Sequence, residues 1–256
     1  MQPNATASAV RPTSPFTVFP RVAAMALVTR TTLDPGEDEY KEIAKTFNSG
    51  RLVNSGCELL SVEKVHNATL TQLFWETAQR YQRDYGHVNI VKGWHGTKKE
   101  NVASILQNNF DVSNTGRHRY GPGVSFSSVP SYAFHYCDKR TSEACMLLVN
   151  VLVSEVIELP ENKDENSVPS ELPFLPGSSS LRYDTSTKDK DNLIVFAKRH
   201  EHAFLPTHVV HFKRIPVPPP RCSRRISFVL SGEMWNLNNF NPFASPMDTL
   251  GGSPGG

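Results

Sequence analysis

Gly93-Trp-His-Gly-Thr97 is the stretch on which the fold turns. The residues from Val88 to Trp94 read as a strand that ends on His95, and Lys98 to Asn108 behind it carries Val102, Ile105 and Leu106 at helical spacing. A glycine directly after the histidine lets backbone approach a ligand closely. Thr97 and Glu100 form a Thr-x-x-Glu capping box, predicted to start the helix and to leave free N–H groups beside the imidazole. Gly96 offers a main-chain N–H and C=O while His95 offers a directional bond, a corner suited to an amide and a sugar hydroxyl. Taken alone, a histidine at a strand end is more often structural.

Working outward, Glu37 to Asn48 reads as a helix opened by acidic residues, and Cys57 to Val65 as a strand with Leu59, Val62 and Val65 as its apolar positions. Leu70, Leu73, Phe74, Ala78, Tyr81 and Tyr85 recur at helical spacing, so a second helix has one buried face. Later strands are expected at Val124 to Ser127, Cys145 to Ile157, Leu193 to Ala197 and His208 to Phe212. A short helix is expected at Ser131 to Cys137, and the stretch Pro160 to Ser180 is loop-rich. Strands outnumber helices toward the C-terminus without the regular alternation of parallel βαβ units, which makes the class α+β with largely antiparallel pairing.

The ends read differently. The first 35 residues are rich in Pro, Ser and Thr without periodicity and are expected to be a disordered leader. Ile215-Pro-Val-Pro-Pro-Pro220 closes the folded region, because consecutive prolines can neither donate to a ladder nor continue a helix. One domain over residues 36–215 and a disordered tail over 216–256 are therefore expected; 256 residues with 19 Pro and 15 Gly suit a single domain of ordinary size with unstructured ends. The tail carries Arg224-Arg-Ile-Ser227 and Asn241-Pro-Phe243, runs short enough to arise by chance.

A formal net charge of +2 gives no reason to name nucleic acid or a membrane as the main partner. No basic stripe is interleaved with aromatics, and no run approaches the roughly 18 apolar residues that span a bilayer. Cys57, Cys137, Cys145 and Cys222 lie far apart with no CxxC pair and no His at metal spacing, which speaks against a zinc site or a disulfide framework. Reduced thiols in an intracellular protein, nuclear or cytoplasmic, are expected. Residues 1–33 hold Arg, Ser and Thr but no Asp or Glu, a composition shared by organelle transit peptides and plain disordered leaders.

Further motifs follow the histidine. Arg119-Tyr-Gly-Pro-Gly-Val-Ser-Phe-Ser127 sets two glycines around a proline before a short strand. Ser131-Tyr-Ala-Phe-His-Tyr-Cys137 spaces Tyr132 and Tyr136 four apart on one helical face, where one of them can stack on a flat heteroaromatic ring. Leu181-Arg-Tyr-Asp-Thr185, Asp191-Asn-Leu-Ile-Val-Phe196 and Phe204-Leu-Pro-Thr-His-Val-Val210 complete the set. In their order and spacing these motifs resemble the catalytic domain of the poly(ADP-ribose) polymerase family, most of all its mono-ADP-ribosylating branch. The resemblance runs over roughly residues 38 to 214 and includes Ser61-Val-Glu-Lys-Val-His-Asn67, similar to the family's opening strand and its trailing Asn.

The resemblance implies two packed, mostly antiparallel sheets with flanking helices and a cleft that holds NAD without a Rossmann motif. It implies transfer of ADP-ribose from NAD to a protein acceptor with release of nicotinamide and no need of a metal. Carried over, His95 would bond the adenosine-side ribose, Gly96 with Thr97 behind it would clamp the nicotinamide carboxamide, and Tyr136 would stack on the nicotinamide ring. The segment Asn114 to Tyr120 would lie over the cofactor, with Arg117 or Arg119 meeting the pyrophosphate and Tyr120 beside them.

The chain departs from the family's pattern where its catalytic triad should be. Ser125 stands where the middle Tyr belongs, a lost aromatic contact worth roughly 0.5–1.5 kcal/mol. Asn192 stands where polymerising members have a catalytic Glu; it can still bond a ribose hydroxyl but carries no charge, so chain elongation is not expected. Ala133 replaces a Ser that in many relatives holds the nicotinamide amide. A transferase acting through His95, Asn192 and Ser125 is one reading, and an interaction module that retains the fold is the other.

Overall fold

The computed structural model describes residues 28–49, 56–113, 119–139, 141–162 and 171–215. The leader up to residue 27, the tail from residue 216, Cys222 and the two short tail motifs lie outside them. Five strands form a wholly antiparallel sheet in the spatial order β1 (Thr29–Thr32), β2 (Cys57–His66), β9 (Phe204–Arg214), β5 (Glu143–Val153) and β3 (Asn89–Gly96). A second sheet runs β4 (Val124–Phe126), β8 (Phe196–Lys198), β7 (Thr185–Thr187) and β6 (Val156–Glu158), with only β6 and β7 parallel. Around them lie α1 (Asp38–Asn48), α2 (Ala68–Tyr85), α3 (Lys99–Asn108) and the single turn α4 (Pro130–Ala133), which tightens into a 3₁₀ turn over Phe134–Tyr136. The class is α+β with mostly antiparallel pairing.

β5, an interior strand of the first sheet, is apolar on both faces. Successive strand residues point to opposite sides, so Cys145, Leu147, Val149 and Val151 join Phe74, Phe110, Phe126, Phe196 and Phe204 in a core shared by the two sheets. Ala144, Met146 and Leu148 face the other way, into a core with Ile43, Phe47, Trp94, Ala133 and Phe212. Burying each large apolar side chain contributes about 1.5–3 kcal/mol, which makes this strand the costliest to disturb. α2 begins where Asn67 accepts a bond from the Leu70 N–H at 3.1 Å and ends at Gly86, whose φ of 77° suits a residue without a Cβ.

Several elements differ from the sequence expectation, each for a physical reason. The last part of the expected leader forms β1, an exposed edge strand whose Thr-Arg-Thr-Thr has no apolar alternation to reveal it. The single strand expected from Cys145 to Ile157 breaks at Ser154 and Glu155, whose N–H groups both turn to the Asp184 carboxylate, and continues as β6 in the other sheet. β9 starts four residues earlier than expected and passes through Pro206; a register shift between Leu148 and Val149 on β5 accommodates it, and Thr207 Oγ1 donates to the Leu148 carbonyl at 3.0 Å. β7 was not expected at all, since Thr185, Ser186 and Thr187 are polar yet fully buried.

Asp184 is the polar counterpart of these cores. Its carboxylate also accepts from the Thr185 hydroxyl and is ion-paired with Lys198, which has no exposure to solvent. Burial draws the Lys198 ammonium down to about 8 although Asp184 pulls the other way. Removing one partner of a buried pair leaves the other charge uncompensated. Asp184→Ala is therefore expected to cost about 3–5 kcal/mol in urea unfolding, and a loss under 1 kcal/mol would show that the pair is not what holds the strand break.

Candidate functional site

The two sheets are stitched by an isolated bridge at the end of β3. The Trp94 N–H donates to the Ser127 carbonyl at 2.7 Å, and the Ser127 N–H donates back to the Trp94 carbonyl at 3.0 Å. Trp94 thus spends both backbone groups on the second sheet, and by strand alternation Gly96, two residues on, turns its own N–H and C=O to the same side. That side lies beyond the bridge, where Gly96 lines a slot together with His95, Ser125, Tyr132, Ala133 and Tyr136. The slot has a volume of about 70 Å³. A Cβ placed on Gly96 would sit 1.9 Å from the Ala133 carbonyl oxygen, so the glycine is what allows α4 to seat against β3.

His95 is held on three sides. Its ring meets Phe110 edge-on at 4.8 Å and Phe126 at 5.7 Å, and its Nδ1 lies 3.0 Å from the Ser125 carbonyl. A carbonyl only accepts, so Nδ1 carries the proton and Nε2 is left as an acceptor. Burial among the aromatic rings drives the imidazole down to about 4, against which the Ser125 bond works only in part. The ring is neutral at physiological pH and suited to accept from a hydroxyl. Tyr136 is 47% exposed, its ring 5.7 Å from that of Tyr132 and its hydroxyl 3.3 Å from the Tyr132 hydroxyl.

The other expected site residues are not all brought together. Arg117 lies outside the described residues. Arg119 does not line the slot; its guanidinium lies near the Tyr132 hydroxyl and its Nε is 3.5 Å from the Glu161 carboxylate. Tyr120 is buried and does not line the slot. Thr97 is buried too, and it does not cap α3: its hydroxyl accepts from Asn101 Nδ2 at 3.2 Å, while the Lys99 N–H is taken by Asp138 at 2.8 Å. The expected capping box is thus replaced by a carboxylate from beyond Tyr136, 39 positions away in sequence, and that N–H is not free for a ligand.

Asn192 is exposed on the turn before β8, outside the slot lining. Its side-chain amide donates to Asp189 at 2.9 Å, and its carbonyl accepts from the Ser128 hydroxyl at 3.2 Å. Bonds from Asn192 hold the Asp189 carboxyl below the usual range.

Sequence reasoning missed Phe110, Asp138 and the Ser125 carbonyl. The first two act through tertiary contact and the third through backbone, so no local pattern marks them. A larger cleft of about 700 Å³ lies elsewhere, beside α2, where Arg80, Tyr81, Tyr85, Arg182 and His200 face one another. It contains none of the His-Gly-Thr or Tyr-Cys motif residues, so size alone does not select the functional site.

Two packed, mostly antiparallel sheets, with a histidine, a glycine backbone and a tyrosine converging at their junction, define the ADP-ribosyltransferase fold. The chain belongs to the poly(ADP-ribose) polymerase family: the model of that family's catalytic domain matches residues 37–204. Domains of this family take NAD as substrate and transfer its ADP-ribose. A search of curated proteins gives no match to the chain.

Two outcomes follow from this geometry. An NMR titration of the His95 ring is expected to give a midpoint at about 4. The unfolded chain takes up that proton near pH 6.5, so the folded state loses stability as pH falls from 6.5 toward 4; a midpoint at or above 6.5 would contradict the buried neutral ring. Gly96→Ala is expected to lower unfolding free energy by about 1–3 kcal/mol through overpacking against Ala133, and an unchanged denaturation midpoint would contradict the close contact.

Proposed function

We propose that the chain transfers a single ADP-ribose unit from NAD to a protein side chain. The observation that carries this reading is that Gly96, whose N–H and C=O strand alternation turns away from β5, lines the same slot as the Tyr136 ring. One donor and one acceptor on the same edge match the C=O and NH₂ of a primary carboxamide, and an aromatic face next to them suits a nicotinamide ring. His95 adds a neutral acceptor for a ribose hydroxyl.

In the reaction the bond between the anomeric carbon and the nicotinamide nitrogen breaks, and nicotinamide leaves as a neutral molecule. The acceptor side chain forms the new bond to that carbon and gives up its proton. Positioning and electrostatic stabilisation of the oxocarbenium-like transition state would supply the rate. Asn192 brings no charge to this step, and its amide is already given to Asp189. Position 192 itself thus offers a second acceptor sugar no carboxylate, which supports single transfer over polymer growth.

A second reading is favoured by the size of the slot. Ligand pockets are usually about 300–1,000 Å³, against about 70 Å³ here. A domain that keeps the fold and uses its surfaces to recruit partners would tolerate such a slot, and Ser125 and Ala133 suit it as well as they suit a weakened enzyme.

Incubating the full chain with labelled NAD, beside a His95→Ala variant, separates the two. Label on the wild type alone supports transfer. Equal label on both proteins, or none on either, favours the interaction module. A rise in melting temperature with NAD would add evidence of binding independent of turnover.

A further inference from the structure

Main chain and side chains together wall the slot. The wall made by α4 is fixed, since the Ala133 carbonyl already occupies the place of a Gly96 Cβ. Ser125 lines the same slot but contributes only a hydroxymethyl group. Tyr132 and Tyr136 both hang from the fixed turn; the Tyr132 hydroxyl accepts from the Tyr136 hydroxyl at 3.3 Å and has the Arg119 guanidinium as a neighbour. Arg119 is itself anchored to Glu161 at 3.5 Å. Both of these contacts involve partly exposed groups, so water can replace them at small cost.

We propose that Tyr132 is the specificity-determining residue of this slot: latched to Tyr136 and Arg119 it fills the room beside Ser125, and released it opens the Tyr136 face to a nicotinamide-like ring. The inference rests on the reading of the slot as the nicotinamide end of an NAD site. It has a consequence for which ligand can enter. A diphosphate competes with the Tyr132 hydroxyl for the Arg119 guanidinium, because a guanidinium bonds phosphate oxygens more strongly than a neutral hydroxyl. NAD carries its own means of drawing Arg119 off Tyr132. Free nicotinamide does not.

The test is to titrate the full-length wild type, Tyr132→Ala and Tyr132→Phe with NAD and with nicotinamide by calorimetry, and to record melting temperatures without ligand. If the open state is populated at about one part in ten, Tyr132→Ala tightens nicotinamide about ten-fold and NAD by less, about three-fold, since NAD already releases the latch. Tyr132→Phe keeps the ring but loses both ties, and is expected to recover a good part of the nicotinamide gain. Binding to Tyr132→Ala that is no tighter than to the wild type would make Tyr132 an ordinary wall of the site and overturn the proposal. So would a Phe variant that binds as the wild type does, because the latch runs through the hydroxyl. Failure of NAD and nicotinamide to bind any of the three proteins, at unchanged melting temperature, would instead overturn the nicotinamide reading on which the proposal stands.

Discussion

The reciprocal backbone pair between Trp94 and Ser127 is the constraint from which the rest of the site follows. It consumes the polar groups of Trp94, aims those of Gly96 past the end of the bridge, and sets β4 alongside so that the Ser125 carbonyl meets His95. The Trp94 ring is itself buried, in the core that packs α1 and α4 against the first sheet. Neither sheet alone would build the slot. Its floor comes from β3, one side from β4, and the other from the turn that Gly96 lets approach.

Protonation is settled by the same junction. Phe110 and Phe126 pack against the half-buried imidazole, and a main-chain carbonyl fixes which nitrogen holds the proton. Because the partner is backbone, the bond does not depend on which side chain stands at position 125. Asn192 is a different case: its amide is turned to Asp189, and neither residue lines the slot.

Much of this was legible in the chain. The helical spacing of Leu70, Phe74, Ala78 and Tyr81 gave a buried face that the structure places in the core, and the motif order brought His95, Gly96 and Tyr136 into one slot. What escaped was decided by contacts remote in sequence. β7 is a run of buried hydroxyl residues in which Thr185 Oγ1 donates to Asp184 and accepts from Lys198 Nζ, and Thr187 Oγ1 donates to the Val195 carbonyl, contacts that no periodicity announces. The start of α3 looked self-capped through Thr97 and Glu100, but Asp138 does that work from across the site. Arg119 has the Tyr132 hydroxyl and the Glu161 carboxylate as neighbours, contacts that sequence spacing does not announce.

The contact between Gly96 and the Ala133 carbonyl has a further meaning for selectivity. A wall made of main chain presents the same groups whatever side chains surround it, and a glycine pressed against a neighbouring carbonyl has no substitution open to it that leaves the fold undisturbed. A compound that engages this edge through a carboxamide would gain affinity without gaining discrimination among related domains. Discrimination would have to come from substituents that extend toward the side chains of Ser125 and Tyr132, which line the same slot.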